Sequence, residues 1–223
     1  MEPVAPPGRH PGRKGWIVFA RSTTIAARTQ ALNAGIAHVR DEVMPALDAV
    51  DGCVGLSLLV DRESGECVLT TAWRSEESMH ASAAAVAPMR HRLVEIFAGT
   101  ATIDEWEIAM VHREQYSAPG ACVRATWLRT RPELFDRAVE FYRSSVLPAM
   151  EELDGFCSAS LMLDRSSGRA VSTATFDSAE AMDRNRDEAR SLRTARLRDL
   201  SAEQLNVGEY ELVLAHLRVP EMA

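Results

Sequence analysis

Val43-Met44-Pro45-Ala46-Leu47, then Asp51-Gly52, Asp61-Arg62-Glu63-Ser64-Gly65 and Glu77-Ser78-Met79, form a stretch that the chain writes twice. It returns as Val146-Leu147-Pro148-Ala149-Met150, Asp154-Gly155, Asp164-Arg165-Ser166-Ser167-Gly168 and Glu180-Ala181-Met182. From 51 to 154, 61 to 164 and 79 to 182 the step is 103 residues each time. One residue is then added, so that Trp106-Glu107-Ile108 and His112 return as Tyr210-Glu211-Leu212 and His216, 104 residues later. Two copies of one unit predict a pseudo-symmetric pair packed together, with any site inside or between the copies.

The pattern within a copy predicts its elements. Trp16 to Arg21 is a short β-rich run, and Leu32, Ile36, Val39, Val43 and Leu47 form an apolar helical stripe between Gln30 and Val50. Asp51-Gly52 stops that helix, since glycine accepts the left-handed conformation of a C-cap. Cys53–Val60 and Glu66–Trp73 read as two strands joined by a glycine-containing hairpin loop. Ser75 caps a second helix running toward Phe97, with Pro88 expected to kink or divide it. Trp106 to His112 alternates as a last strand. The second copy repeats this order with strands near Cys122–Leu128, Phe156–Leu163, Arg169–Phe176 and Glu209–Leu217, and helices near Glu133–Leu153 and Ser178–Leu200. The unit is β-α-β-β-α-β, the ferredoxin-like plan. Each sheet has one face covered by its own helices, and the other sheet is the natural cover for the second face. The expected fold is therefore α+β: two ferredoxin-like repeats packed sheet to sheet as a barrel within one chain. The expected divisions are an N-terminal disordered arm at 1–14, repeat one at 15–113, a linker at 114–120, repeat two at 121–218 and a tail at 219–223.

Composition narrows the partners. With 25 Lys and Arg against 32 Asp and Glu, the net charge is −7, which argues against nucleic acid and anionic membranes. The arginines of the last long helix (Arg184, Arg186, Arg190, Arg193, Arg196, Arg198) are interleaved with Asp183, Asp187, Glu188 and Asp199 and read as a salt-bridged solvated face. No apolar run reaches the roughly 20 residues of a membrane span, and the first residues lack an apolar signal core. A cytoplasmic location is expected. Cys53, Cys67, Cys122 and Cys157 have neither CxxC spacing nor matched positions between copies, so they read as buried free thiols. No phosphate loop, HExxH or metal-ligand set is apparent, and no cofactor is expected.

Gly52-Cys53 leading into a strand, and Trp73-Arg74-Ser75-Glu76-Glu77 leaving the next one, resemble the antibiotic-biosynthesis monooxygenase-like family of the dimeric α/β-barrel superfamily. The resemblance spans roughly Gly15 to Arg218, and it implies that an internal pair replaces the usual homodimer, with further self-association left open. It implies a cofactor-independent oxygenase acting on a phenolic or quinol-type molecule. The alternative is a non-catalytic barrel that binds a small aromatic or apolar molecule or serves structure alone. Haem binding or degradation is the weakest expectation, because Ala20 or Arg21 and Ala83 stand where the family's haem enzymes carry Asn and His.

The candidate site residues follow from this likeness and from charge. Trp73 would face a cavity between sheet and helices, although it shares a strand face with Leu69 and Thr71 and core packing is the commoner use of such a residue. Phe176 takes its place in the second copy with another shape and no N–H. Arg21 and Arg124, matched at 103 residues among apolar neighbours, need an anion: a phenolate or carboxylate ligand, or an internal acid. His80 and His91 border the expected pocket mouth, and Arg90 and Arg193 would flank an anionic ligand there. His112 and His216, matched between copies, are expected to cap the barrel ends.

Overall fold

The computed structural model of the chain describes residues 17–187, 190 and 202–222. The expected arm at 1–14, Ala223 and the far part of the last long helix, with Arg193, Arg196 and Arg198, lie outside the described residues. Four strands come from the first copy: β1 (Val18–Ala26), β2 (Cys53–Val60), β3 (Glu66–Trp73) and β4 (Thr100–Arg113). The second copy supplies β5 (Cys122–Arg129), β6 (Phe156–Asp164), β7 (Arg169–Phe176) and β8 (Glu203–Leu217). They close into one barrel in the order β1-β3-β2-β8-β5-β7-β6-β4. All eight neighbouring pairs are antiparallel.

Each copy contributes a four-stranded ferredoxin-like sheet, and the last strand of one copy joins the second strand of the other. Thus β8 pairs with β2, from Gly55↔Leu217 to Val60↔Glu211, and β4 pairs with β6, from Glu107↔Leu163 to Arg113↔Ser158. Both joins contain a register shift, at Leu58/Leu59 and at Ile108/Met110. A bulge of this kind bends and twists a strand, as closing a barrel requires. β4 and β8 are longer than the sequence alternation suggests. Their largely polar first halves, from Thr100 and Glu203, add backbone pairs to β1 and β5, and the large apolar side chains they carry, Ile103 and Leu205, stay exposed rather than joining a core.

The helices cover the outside. α1 (Leu32–His38), a π-helical turn at Val39–Val43 and α2 (Met44–Asp48) form one continuous helix, and α5 (Phe135–Phe141), Tyr142–Val146 and α6 (Leu147–Glu151) repeat it. The π turns have a shared cause: Pro45 and Pro148 follow them, and a proline has no N–H and crowds the carbonyl four residues back. The second helix of the first copy is divided, but at Ser82 rather than Pro88. Ser82 donates its hydroxyl to the Met79 carbonyl at 2.7 Å, ending α3 (Glu76–Ala81), and α4 (Ala83–Ile96) carries Pro88 inside it. In the second copy, α7 (Ala179–Arg184) is capped by Ser178, as α3 is by Ser75.

Two apolar cores lie between sheets and helices, one around Ile25, Leu58, Trp73, Leu93 and Phe97, the other around Phe135, Leu147, Phe156, Leu163 and Phe176. Gly35 belongs to the first, since a Cβ there would lie 2.2 Å from the Phe97 ring. The repeated Asp-Arg-x-Ser-Gly loop closes each hairpin by one device. Asp61 Oδ1 accepts from the Glu63 and Ser64 amides, and Asp164 Oδ1 from those of Ser166 and Ser167. Gly65 and Gly168 follow at φ 81° and 74°, where a side chain would be strained.

Burial pushes the Asp164 carboxyl up, but the serine hydroxyls and amides more than offset it, lowering it to about 2. A carboxylate held below its usual value stabilises the fold above that value, and the contribution is lost as pH falls toward the folded-state value. Denaturant titrations between pH 5 and pH 2 should therefore show an acid decline that is shallower in Asp164→Asn, which lacks the titrating group.

Candidate functional site

The barrel encloses one space and the helices cover another, and the two differ in size. Strand alternation decides which residues reach each. Along β1, Ser22 and Thr24 face the interior, whereas Arg21 and Thr23 face the helices. The space between the first sheet and its helices is about 20 Å³, bounded by Arg21, Leu47, Leu69, Thr71, Met89 and Arg90 among others. That is the room of a water molecule, not of an aromatic ring.

Trp73 is fully buried in the first core and donates from Nε1 to Thr71 Oγ1 at 3.1 Å. Phe176 occupies the matching place in the second core, edge-on to Phe156 at 6.4 Å between ring centres. Arg21 is 5% exposed and held on three sides: by Glu105 Oε1 at 2.8 Å, the Met79 carbonyl at 3.0 Å and Ser82 Oγ at 3.5 Å. Arg124 repeats this, bound to Glu209 at 3.0 Å and the Met182 carbonyl at 3.0 Å. Internal acids are therefore the partners of both arginines, and the two guanidiniums tie α3 and α7 to their sheets. His80 joins Arg21 through Glu105, at 3.0 Å, while His91 is exposed on α4. Burial works against the Glu105 carboxylate, but Arg21 and then His80 outweigh it and hold it below the usual range. Arg90 lines the small void beside Arg21, and burial followed by that like charge lowers its guanidinium. The structure thus links Arg21 and His80 through Glu105, sets Arg90 beside Arg21 across the small void, and ties Trp73 to the Arg21 carbonyl by way of Thr71, while Arg124 and Phe176 lie in the second copy and the His91 side chain is exposed. The void beside Arg21 is too small for haem, and none of its described lining residues is His, Cys or Tyr.

The larger space lies between the two sheets. It has a volume of about 370 Å³, within the usual range for small-molecule pockets. Its wall alternates apolar groups such as Leu59, Val68, Ile108 and Met162 with hydroxyls from both copies. Ser57 and Thr70 face each other across β2 and β3, and Ser160 and Thr173 do so across β6 and β7, where their oxygens are 2.7 Å apart. Two indoles complete the lining. Trp106 donates to Ser22 Oγ at 2.8 Å, with the Arg169 guanidinium over its ring at 5.3 Å. Trp127 packs edge-on to Tyr210 at 6.4 Å, and Tyr210 donates to Glu66. Burial and then Glu66 push the Tyr210 phenol up, so it stays protonated. Gln115, Tyr116 and Ser117 after β4, and Val219 after β8, border the same space. Its described lining contains no His, Asp, Glu, Lys or Cys. Such a wall can stack on a ring and hydrogen-bond its oxygens, but it offers little for proton transfer near neutral pH. Burial raises all four cysteine thiols, Cys67 to about 12, so none is poised as a nucleophile.

Sequence reading treated the facing sheets as a core and missed this lining. The available signal was the small polar residue at every second position in Ser22-Thr23-Thr24, Ser158-Ala159-Ser160 and Thr173-Ala174-Thr175. The expected end cap at His112 is also richer than foreseen: Glu151 lies 2.9 Å from its Nε2 and Glu221 2.9 Å from its Nδ1.

No family model matches the chain. It is 58% identical over 210 residues to the uncharacterized protein Rv2557 of Mycobacterium tuberculosis, covering 94% of each. It is 59% identical to the uncharacterized protein Rv2558 of the same organism, covering 94% of this chain and 89% of that one. Among solved structures, an anthrone oxidase-like protein superposes with TM-score 0.64 at 16% identity, over 90% of this chain and 93% of the other. A ferredoxin-fold protein of Listeria monocytogenes related to antibiotic biosynthesis monooxygenases gives 0.50 at 12% identity, over 86% and 94%. At these identities the structural likeness is one of fold.

Two outcomes test the packing. Trp73→Ala should lower stability by about 3–5 kcal/mol, as loss of a fully buried indole does, read by chemical denaturation. Glu105→Ala should cost about 1–3 kcal/mol by leaving the Arg21 guanidinium short of its acid, and more than Arg21→Met, which removes the charge itself.

Proposed function

We propose that this chain, which belongs to the family of the Mycobacterium tuberculosis proteins Rv2557 and Rv2558, binds a small flat molecule inside its barrel. The cavity of about 370 Å³ between the sheets carries this reading. Its two indoles offer ring faces or edges for stacking, and its paired serines and threonines offer donors and acceptors to ring oxygens. An aromatic compound bearing hydroxyl or carbonyl groups suits both.

A cofactor-independent oxygenase of a phenolic or quinol-type substrate would need, in addition, an acceptor for the ring hydroxyl proton. His80 and His91 belong to the helical layer outside the barrel wall, and the described lining supplies no such base. Binding is therefore the function the geometry supports best.

Titrating tryptophan fluorescence with anthrone, hydroquinones and naphthols should give saturable quenching for oxygen-bearing ring systems. Ala125 faces the cavity from β5, and Ala125→Phe should weaken binding at least about ten-fold by filling space, with the melting temperature preserved. Equal binding by wild type and Ala125→Phe, or no saturable binding by any probe, would overturn the proposal. Oxygen uptake with the same compounds, present in wild type and absent in Ala125→Phe, would replace binding by catalysis at this cavity.

A further inference from the structure

We infer that His112, Glu114 and Glu151 form a site for a borderline first-row divalent cation of the zinc class, with Glu221 as its supporting carboxylate. His112 leaves the outer face of β4 near its end, Glu114 follows two residues later, and Glu151 ends α6. One ligand atom from each of the three lies within 4.8 Å of the other two. His112 Nε2 is 2.9 Å from Glu151 Oε1 and 3.7 Å from Glu114 Oε2. Metal–ligand bonds of about 2.0–2.2 Å separate neighbouring ligand atoms by about 3.0–3.5 Å, so small rotamer changes would seat an ion.

Two further observations concern the histidine. Its Nε2 is shielded from solvent and makes no hydrogen bond, because the nearby Glu151 oxygen is out of line for one. Its Nδ1 lies 2.9 Å from Glu221 Oε1, the carboxylate–imidazole arrangement that fixes the tautomer of a metal-bound histidine.

The repeat supplies an internal comparison. At the symmetry-related place the second copy supplies His216 and Arg218 and the first copy Asp48, and Arg218 comes within 3.0 Å of His216 Nε2 and 4.0 Å of Asp48. There a guanidinium supplies the positive charge. At His112 that position is Glu114, so three carboxylates crowd one imidazole. Arg113 is the cation alongside, 3.9 Å from Glu221 and donating to the Val219 carbonyl. A bound dication would balance this charge. It would also fasten the start of the inter-repeat segment and the C-terminal tail to α6, next to the residues that border the cavity.

Competition against a chromophoric chelator on the full chain at neutral pH tests the site. One equivalent of Zn²⁺ should bind, with Ca²⁺ and Mg²⁺ at least 100-fold weaker, since hard ions gain little from imidazole. Glu151→Gln, at a partly exposed position that should leave the fold intact, and His112→Ala should each abolish stoichiometric binding. Glu221→Gln should weaken it roughly 10–100-fold, and His216→Ala should leave it unchanged. Retention of binding by Glu151→Gln and His112→Ala, parity of Ca²⁺ with Zn²⁺, or absence of saturable Zn²⁺ binding would each overturn the inference.

Discussion

Each sheet in this protein ends in two strands whose outer backbone groups have partners only in the other repeat. β2 and β4 border the first sheet, β6 and β8 the second, and the joins β2–β8 and β4–β6 consume all four edges. An unpaired edge leaves a row of N–H and C=O groups open to water or to another chain. Closure removes that liability without a second molecule. It also forces the inner faces to confront one another across a fixed gap, and the cavity is what remains of that gap.

The contrast between the two spaces follows from side-chain size. On the outer faces, Ile25, Leu58, Leu69 and Trp73 mesh with helix residues such as Val39, Leu47 and Leu93, and the layer is filled. On the inner faces, Ala20, Ala72, Ala125 and the serines and threonines are too short to meet at the centre. A filled outer layer and a hollow middle use the same strands. The fused pair shares its fold with monooxygenase-related proteins, yet the room for a guest lies between its sheets.

Much of the architecture was legible because turns and caps repeat at a constant step. Asp-Arg-x-Ser-Gly, the helix-stopping Gly52 and Gly155, and the cap serines Ser75 and Ser178 act locally, so their sequence determines their geometry. Strands β2 and β3 were readable to the residue. The limits of β4 and β8 were not, because their first halves are held by backbone pairing with β1 and β5, which leaves no mark in side-chain periodicity. The break at Ser82 was missed for a similar reason. Proline announces itself, whereas a serine turning its hydroxyl onto Met79 looks like any helix residue. Of the candidate site, the charged positions were found and their partners were not: Arg21 signalled a need for an anion, but Glu105 lies 84 residues away. The hydroxyl-lined interior stayed hidden because alternation shows that a face is turned inward, but not whether the opposing faces touch.

Fusion also lifts a restriction that binds any homodimer, where one substitution must appear on both walls of the chamber. Here Thr24 in β1 has Trp127 as its counterpart in β5, and Trp106 in β4 has Tyr210 in β8. The chamber is two-fold in backbone and lopsided in chemistry. A guest of the proposed kind would meet a left side and a right side, so even a symmetric molecule would have its two ends in different company, and each wall is free to change alone.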